Sequence, residues 1–444
     1  MSQYKAYPAY KDSGVEWIGQ VPEEWKTGKL KHLGTLKGGS GFPTDMQGQP
    51  DNELPFYKVG DLSKSRDNLS LNGSSNTISR KDAKELGATV FPENTISWAK
   101  IGAALFLNRR RISKTACCLD NNMTGFVVDS KKVPIQYAFY LMNAIDFSFF
   151  ARPGAVPSLS EGEQSAIPIA IPSYEESFSI AATLDRETAR IDALIQKKTR
   201  FIELLKEKRQ ALITHAVTKG LDPNVKMKDS GVEWIGQVPE HWKIAPVKYH
   251  YDARLGKMIQ PAAVSDRDIE VPYHRAQTVQ WERIVESDIK EMWASPRDIE
   301  QFSVSEGDLL ICEGGDVCRA AIVKQPPEKN MIFQNSIHRI RSKGEYGVGW
   351  VMRLMQHLRS SEWIDVLCNK NTIVHFTSDK LGSLECPLPP PDEQATIAAA
   401  LDRETARIDA LIGKAEHSIT LLKERRSAFI TAAVTGQIDL RGEQ

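Results

Sequence analysis

The chain has 444 residues, 41% hydrophobic and 26% charged, an ordinary globular composition with apolar material for more than one core. It holds no apolar run of about eighteen residues and opens MSQYKAYPAYKDSG, so neither a membrane span nor a secretory leader is expected, and a cytoplasmic protein is. The 57 basic and 57 acidic residues cancel, which argues against a protein that grips nucleic acid alone and leaves room for a partner that brings positive charge.

The first block, Lys11 to Lys26, reads KDSGVEWIGQVPEEWK, and it returns at Lys228 to Lys243 as KDSGVEWIGQVPEHWK, 217 positions later. Two tryptophans around Gly-Gln-Val-Pro predict a turn with aromatic anchors rather than a helix. Trp17, Trp25, Trp234 and Trp242 are therefore structural anchors.

The first insert follows, then the second at the same offset, residues 27–180 and 244–397. They are equal in length and far apart in sequence, with faint matches: Leu54-Pro-Phe-Tyr-Lys with Val271-Pro-Tyr-His-Arg, Lys37 with Arg254, Gly102 with Gly315, Asn121 with Asn335. Short apolar runs broken by Gly, Asn, Asp and Pro predict strands at LPFYKVGDL, ATVFPENTISWAKIG, ALFLNRRRI and TGFVVDS, and at DLLICEGG, AAIVK and HRIRSK. Helices are expected over Val133 to Phe149 and Val348 to Leu367, which makes each insert an α+β domain. Gly38-Gly39-Ser40-Gly41 lacks the lysine of a phosphate loop and reads as a flexible turn.

After each insert comes a helical block. Leu184 to Ile195 and Leu401 to Ile412 both read LDRETARIDALI, again 217 apart. Heptad rows run through Leu184, Ile191, Lys198, Leu205 and Leu212, and through Leu401, Ile408, Ala415, Leu422 and Phe429. Leu194, Ile195, Phe201, Ile202, Leu411, Ile412 and Ile419 lie between them. Proline and acidic residues mark the helix starts, and Gly220 and Gly436 mark the ends. Each helix then spans roughly 40 residues, about 60 Å, and the two are expected to pair antiparallel.

Catalytic motifs are missing. There is no G-x-x-x-x-G-K-S/T loop, no Asn-Pro-Pro-Tyr, no G-x-S-x-G and no H-E-x-x-H. The six cysteines form no C-x-x-C pair, so no zinc site is expected. What remains is basic side chains near strand ends, which can reach phosphates or base edges. Arg109 to Arg111 form a basic run in the first insert, and Arg339 and Arg341 alternate with Ile340 on an expected strand of the second.

The tryptophan-anchored entry Gly231 to Lys243, Pro387-Leu388-Pro389 with Glu393-Gln394, the helix Leu401 to Thr435, and their first-copy partners resemble the specificity subunit of type I restriction-modification systems. The first copy departs at Glu176-Ser177, where the pattern has Glu-Gln. The resemblance implies an α+β fold: two mixed target-recognition domains related by pseudo-twofold symmetry and joined by two long antiparallel coiled-coil helices. The expected division is an anchor and first recognition domain over 1–172, a spacer helix over 173–220, a second anchor and recognition domain over 221–389, and a C-terminal spacer helix over 390–444. It also implies a non-catalytic chain that binds double-stranded DNA and docks two methyltransferase subunits, with restriction subunits where present. On that reading the candidate DNA contacts are Lys37, Lys58, Lys100, Arg109, Arg110 and Arg111 in the first insert and Arg254, His274, Arg275, Arg339 and Arg341 in the second, and the turns at Trp17, Trp25, Trp234 and Trp242 are candidate docking positions for the methyltransferase subunits. S-adenosylmethionine and ATP would sit on those partners, with no cofactor on this chain. Divergent inserts imply an asymmetric, split target. A freestanding DNA-binding regulator is the alternative.

Overall fold

The computed structural model describes residues 4–65, 69–71, 73–151, 154, 156–327, 330–368 and 375–441. It contains two compact units, Met1–Lys198 with His417–Gln444, and Thr199–Glu416. The division falls in the middle of both long helices and not at their ends, as the chain order had suggested.

The long helices are Tyr174–Lys219 and Pro391–Val434, 46 and 44 residues. Ser173 starts the first by accepting the Glu176 N–H on its Oγ, at 3.1 Å, and Pro391 occupies the first turn of the second. Both stop where glycine takes positive φ, Gly220 at +73° and Gly436 at +74°. In the first unit Ile180, Ala181 and Leu184 share a core with Phe429, Ile430, Ala433 and Val434, while Asp192 meets Arg426. In the second, Ile213, Ala216 and Val217 share a core with Ile397 and Leu401, while Arg209 meets Asp409. Numbers rise on one helix as they fall on the other, so the pairing within each unit is antiparallel.

Leu184, Ile191, Leu205, Leu401, Ile408 and Phe429 are buried as the heptads require. Leu212 and Leu422 are only half-buried; the neighbouring Ile213 and Ile430 carry the seam instead. Leu194, Phe201 and Leu411 are exposed. The reason is periodicity: an undistorted helix drifts about 20° per heptad, so one row cannot stay on the seam along its whole length.

Each tryptophan block forms a small antiparallel ribbon, Tyr10–Asp12 with Gln20–Pro22 and Met227–Asp229 with Gln237–Pro239. A second ribbon closes each insert, Lys26–Lys29 with Pro168–Ile171 and Lys243–Pro246 with Glu385–Leu388. Three tryptophans are core residues and not docking positions: Trp25, Trp234 and Trp242 are 1%, 7% and 0% exposed. Trp242 Nε1 donates to Glu393 Oε1 at 3.1 Å and its ring meets Trp350 edge-on. Trp17 is half-buried, its Nε1 donating to the Pro168 carbonyl at 3.1 Å.

The drifted inserts share a strand order. In the first unit the main sheet runs Gly34–Gly38, Met123–Val128, Ile96–Ala99, Arg111–Ser113, Ser70–Leu71. In the second it runs Tyr251–Leu255, Ile337–Ser342, Leu309–Cys312, Ala320–Ile322. A smaller sheet repeats as well: Cys118–Leu119, Leu54–Tyr57, Thr77–Ile78 against Ile332–Phe333, Ile269–His274, Lys290–Ala294. The run ALFLNRRRI is not one strand. Gly102 at φ +72° turns the chain into a short helix, Ala103–Phe106, and the strand begins at Arg111. Among the described residues no helix is long and apolar enough to cross a membrane.

Candidate nucleic-acid interface

In each unit strand ends converge on one short turn, residues 119–123 in the first and 333–337 in the second, and the same four backbone hydrogen bonds hold both hubs. In the first unit, Gly39 N–H donates to Met123 O at 2.9 Å and Ser40 N–H to Leu119 O at 2.8 Å. Asp120 N–H donates to Tyr57 O and Lys100 N–H to Asn122 O, both at 2.9 Å. In the second, Gly256 donates to Ile337 O at 3.0 Å, Lys257 to Phe333 O, Gln334 to His274 O and Glu313 to Ser336 O, each at 2.9 Å.

The glycine that enters each hub is required by space. A Cβ on Gly39 would lie 2.1 Å from the Asp120 carbonyl oxygen, and one on Gly256 would lie 2.4 Å from those of Phe333 and Gln334. Neither contact is tolerable, so the backbones can touch only through glycine. The segment expected to be a flexible turn at 38–41 is therefore a close-packed junction.

On this common backbone the side chains differ. Lys37 and Arg254 occupy paired positions on the edge strands; Lys37 is exposed, and Arg254 is half-buried with Nη1 donating to Gln301 O at 3.4 Å. Ser40 corresponds to Lys257, whose Nζ is held by Asp298 and Gln260 at 2.9 and 3.0 Å. Lys58 corresponds to Arg275. The Lys58 ammonium bonds Gln47 and lies 5.7 Å from the Phe42 ring, which stacks on Phe56. Arg275 is ion-paired with Asp288. Lys100 corresponds to Glu313, a reversal of charge. A Cβ on Gly38 would sit 2.8 Å from the Lys100 ammonium, and the Gly38 N–H donates to Glu161 Oε2 at 3.0 Å.

Several sequence candidates lie elsewhere. Arg109 is half-exposed and donates to Ser63 Oγ. Arg110 is fully buried: its guanidinium lies 4.2 Å from the Phe147 ring, donates to Ile145 O at 2.6 Å, and is pushed down to about 9 by burial. Arg111 is 7% exposed and lines a cavity beside the long helices. His274 is 4% exposed, its Nδ1 3.2 Å from Thr278 Oγ1. Arg339 is 2% exposed, bonded to Ser303 O over Phe333, and pushed down to about 10 by burial. Arg341 is held by both Asp308 oxygens at 2.5 and 2.8 Å. Arg110, Arg111, His274 and Arg339 are thus not surface readers, and Arg275 and Arg341 are already paired. Alternation predicted Ile340 inward and the arginines outward. The second face of that strand is also covered, by a cluster containing Phe333 and Val304, so Arg339 is buried too.

Lys257 and Glu313 belong to the hub and were not candidates. Shifting Ser40 by 217 finds Lys257, and the spacing of Gly102 and Gly315 carries Lys100 to Glu313.

The family model for the type I restriction modification DNA specificity domain matches residues 22–204 and 270–420. The type I restriction enzyme MjaIX specificity subunit of Methanocaldococcus jannaschii is 25% identical over 175 residues, a match that spans 38% of this chain and 38% of that protein. Two solved chains share the fold. One, from work on complex assembly and conformational transition of the type I R-M system, has a TM-score of 0.70 at 14% identity, covering 96% of this chain and 99% of that one. The other is the HsdS subunit of Thermoanaerobacter tengcongensis, with a TM-score of 0.55 at 14% identity, covering 94% and 98%. The chain belongs to the type I restriction-modification DNA specificity family and is a specificity subunit.

Proposed function

We propose that each unit reads one half of an asymmetric, bipartite DNA target through the side chains around its hub. One observation carries this reading: four identical backbone hydrogen bonds frame Lys37, Ser40, Lys58 and Lys100 in one unit and Arg254, Lys257, Arg275 and Glu313 in the other. A frame kept while its side chains change, even from Lys100 to Glu313, is what two readers of different sequence need. Base edges distinguish sequence and phosphates do not, so readout depends on such side chains.

The long helices act as a spacer between half-sites and as the docking frame for two adenine-methyltransferase subunits, with restriction subunits joining where present. The chain itself does no chemistry; S-adenosylmethionine and ATP belong to the partners. Its zero formal charge suits a reader whose partners supply much of the phosphate affinity.

The test replaces residues 27–172 with those of a relative and maps adenine methylation genome-wide in the host. One half of the methylated motif should change to the relative's and the other half should stay. An unchanged motif with full methylation would sink the reading, and nanomolar specific binding by the purified chain alone would favour a freestanding regulator.

A further inference from the structure

From the hub of the second unit the chain continues as a loop, KMIQPAAVSDRD over residues 257–268. Its large apolar side chains face outward: Met258, Ile259 and Val264 are 74%, 48% and 84% exposed. Apolar residues scattered singly over a surface are ordinary, but a group of them on one short loop marks a contact.

The polar side chains of the loop are turned inward and used up. Asp268 is buried and accepts from the Val264 N–H and Gln260 Nε2, both at 2.8 Å, and from Ser265 Oγ at 3.1 Å. Gln260 Oε1 accepts from the Lys257 ammonium at 3.0 Å, and Lys257 is anchored on Asp298 at 2.9 Å. The Gln260 carbonyl accepts from the Trp293 N–H at 3.0 Å. A line of hydrogen bonds thus runs from the hub residue Lys257 through Gln260 to Asp268. It fixes the loop with polar groups inside and apolar groups outside, the reverse of an ordinary surface loop.

The first unit does not repeat this. At the 217-residue offset Gly41 and Phe42 stand for Met258 and Ile259. Phe42 is half-buried, its ring stacked on Phe56 at 3.9 Å. No large apolar side chain of residues 40–53 is exposed. Two like partner subunits, one per unit, would be met by the same surface on both. The apolar loop belongs to one unit only, as a contact to one half of an asymmetric target would. In the major groove the apolar group among the base edges is the C5-methyl of thymine.

We propose that Met258, Ile259 and Val264 read thymine C5-methyl groups in the major groove of the half-site that the second unit recognises. This inference rests on the reading that each unit recognises one half of the target. The hub supplies the frame, Gln260 and Asp268 position the loop, and the three apolar side chains discriminate thymine from the other bases.

The test measures binding of the methyltransferase complex to its motif. Each thymine of the second unit's half-site is replaced in turn by deoxyuridine, which lacks only the C5-methyl. At one thymine or more the Kd should rise about fourfold, the worth of one buried methyl group. Met258→Ala, Ile259→Ala and Val264→Ala are then titrated on both duplexes. The variant that has lost the contact should bind the thymine duplex about as weakly as wild type binds the deoxyuridine one, and should no longer tell the two apart. All three side chains are exposed, so melting temperatures should stay at the wild-type value. A half-site without an A·T pair, no cost of deoxyuridine at any thymine, or undiminished sensitivity in all three variants would each overturn the proposal. Replacing residues 244–389 with those of a relative separates it from the reading beneath. If that exchange changes the half-site while deoxyuridine costs nothing, the methyl contact alone fails. If the exchange leaves the motif unchanged, the reading itself fails.

Discussion

Arg426 donates through Nε to both carboxylate oxygens of Asp192, and the same pair stands 217 positions away as Arg209 and Asp409. The two contacts have different worth. Arg426 and Asp192 are 34% and 47% exposed, so their pair contributes about 0.3–1 kcal/mol. Arg209 also serves Glu282, which is tied to Arg353 and Gln356. Arg209→Gln should therefore lower the urea midpoint more than Arg426→Gln does. Equal shifts would show that the Glu282 network adds nothing.

The tryptophan anchors separate folding from docking. Trp242→Ala removes a fully buried ring from between Trp350 and the start of the second long helix, and should cost about 3–5 kcal/mol. Trp17→Ala, half-buried, should cost far less. Thermal denaturation of the chain without partners checks this. If Trp242→Ala kept its melting temperature and lost only methyltransferase binding, the docking role would return.

What the sequence made legible was whatever repeats in register. The ribbons around Trp25 and Trp242, the strands at Gly34 and Tyr251, and both long helices follow from the 217-residue offset. The hub was hidden because its parts are joined by backbone, which pattern does not report: Gly39 reads as a loop residue until it lies against Asp120. The arginines misled for a related reason. Arg110 and Arg339 look like surface cations in a basic run, yet each finds a carbonyl and an aromatic face inside. The alternation rule assumes one wet face on a strand, and Ile337–Ser342 has none over its first four residues.

Residues 417–441 pack into the first unit. Phe429, Ile430, Val434 and Leu440 lie in its core, Gln437 Nε2 donates to Gln20 O at 2.8 Å, and a Cβ on Gly436 would strike Pro22 at 2.3 Å. A chain ending at Glu416 loses those four apolar side chains from one core and none from the other. Hydrogen exchange should then show residues 4–151 deprotected while strands 309–312 and 337–342 keep their protection. Equal protection in both would contradict the division into units.

Acid should unfold the second unit first. Burial pushes His274 down to about 4 and lowers His338 and His357, and all three lie in that unit. A histidine with a depressed folded value is neutral when folded, and the unfolded chain binds the proton more readily. Its contribution is complete above about pH 6.5 and falls away as pH drops toward 4, by roughly 3 kcal/mol for His274. Exchange protection of the second unit should fall over that window while the first unit holds, and His274→Gln should flatten the fall. A first unit that is lost at the same pH would refute the assignment.

Lys37 and Arg254 test the readers one at a time. They hold the same place on matching edge strands, Lys37 opposite Gly125 and Arg254 opposite Arg339, so on the proposed reading one substitution touches one half-site only. If Lys37 meets a phosphate, Lys37→Ala should weaken binding of every target alike and reduce the slope of log K against log salt by about one. If it meets a base edge, the variant should lose about 1–3 kcal/mol on the native half-site and tolerate other bases there, with the salt slope nearly unchanged. Arg254 is partly satisfied by the Gln301 carbonyl, so Arg254→Ala should show a smaller effect, confined to the other half. Being on separate sheets with no shared partner, the two losses should add within about 0.5 kcal/mol. Binding measured on targets altered in one half at a time decides it: a Lys37 effect that follows both halves would remove this position from the reading surface.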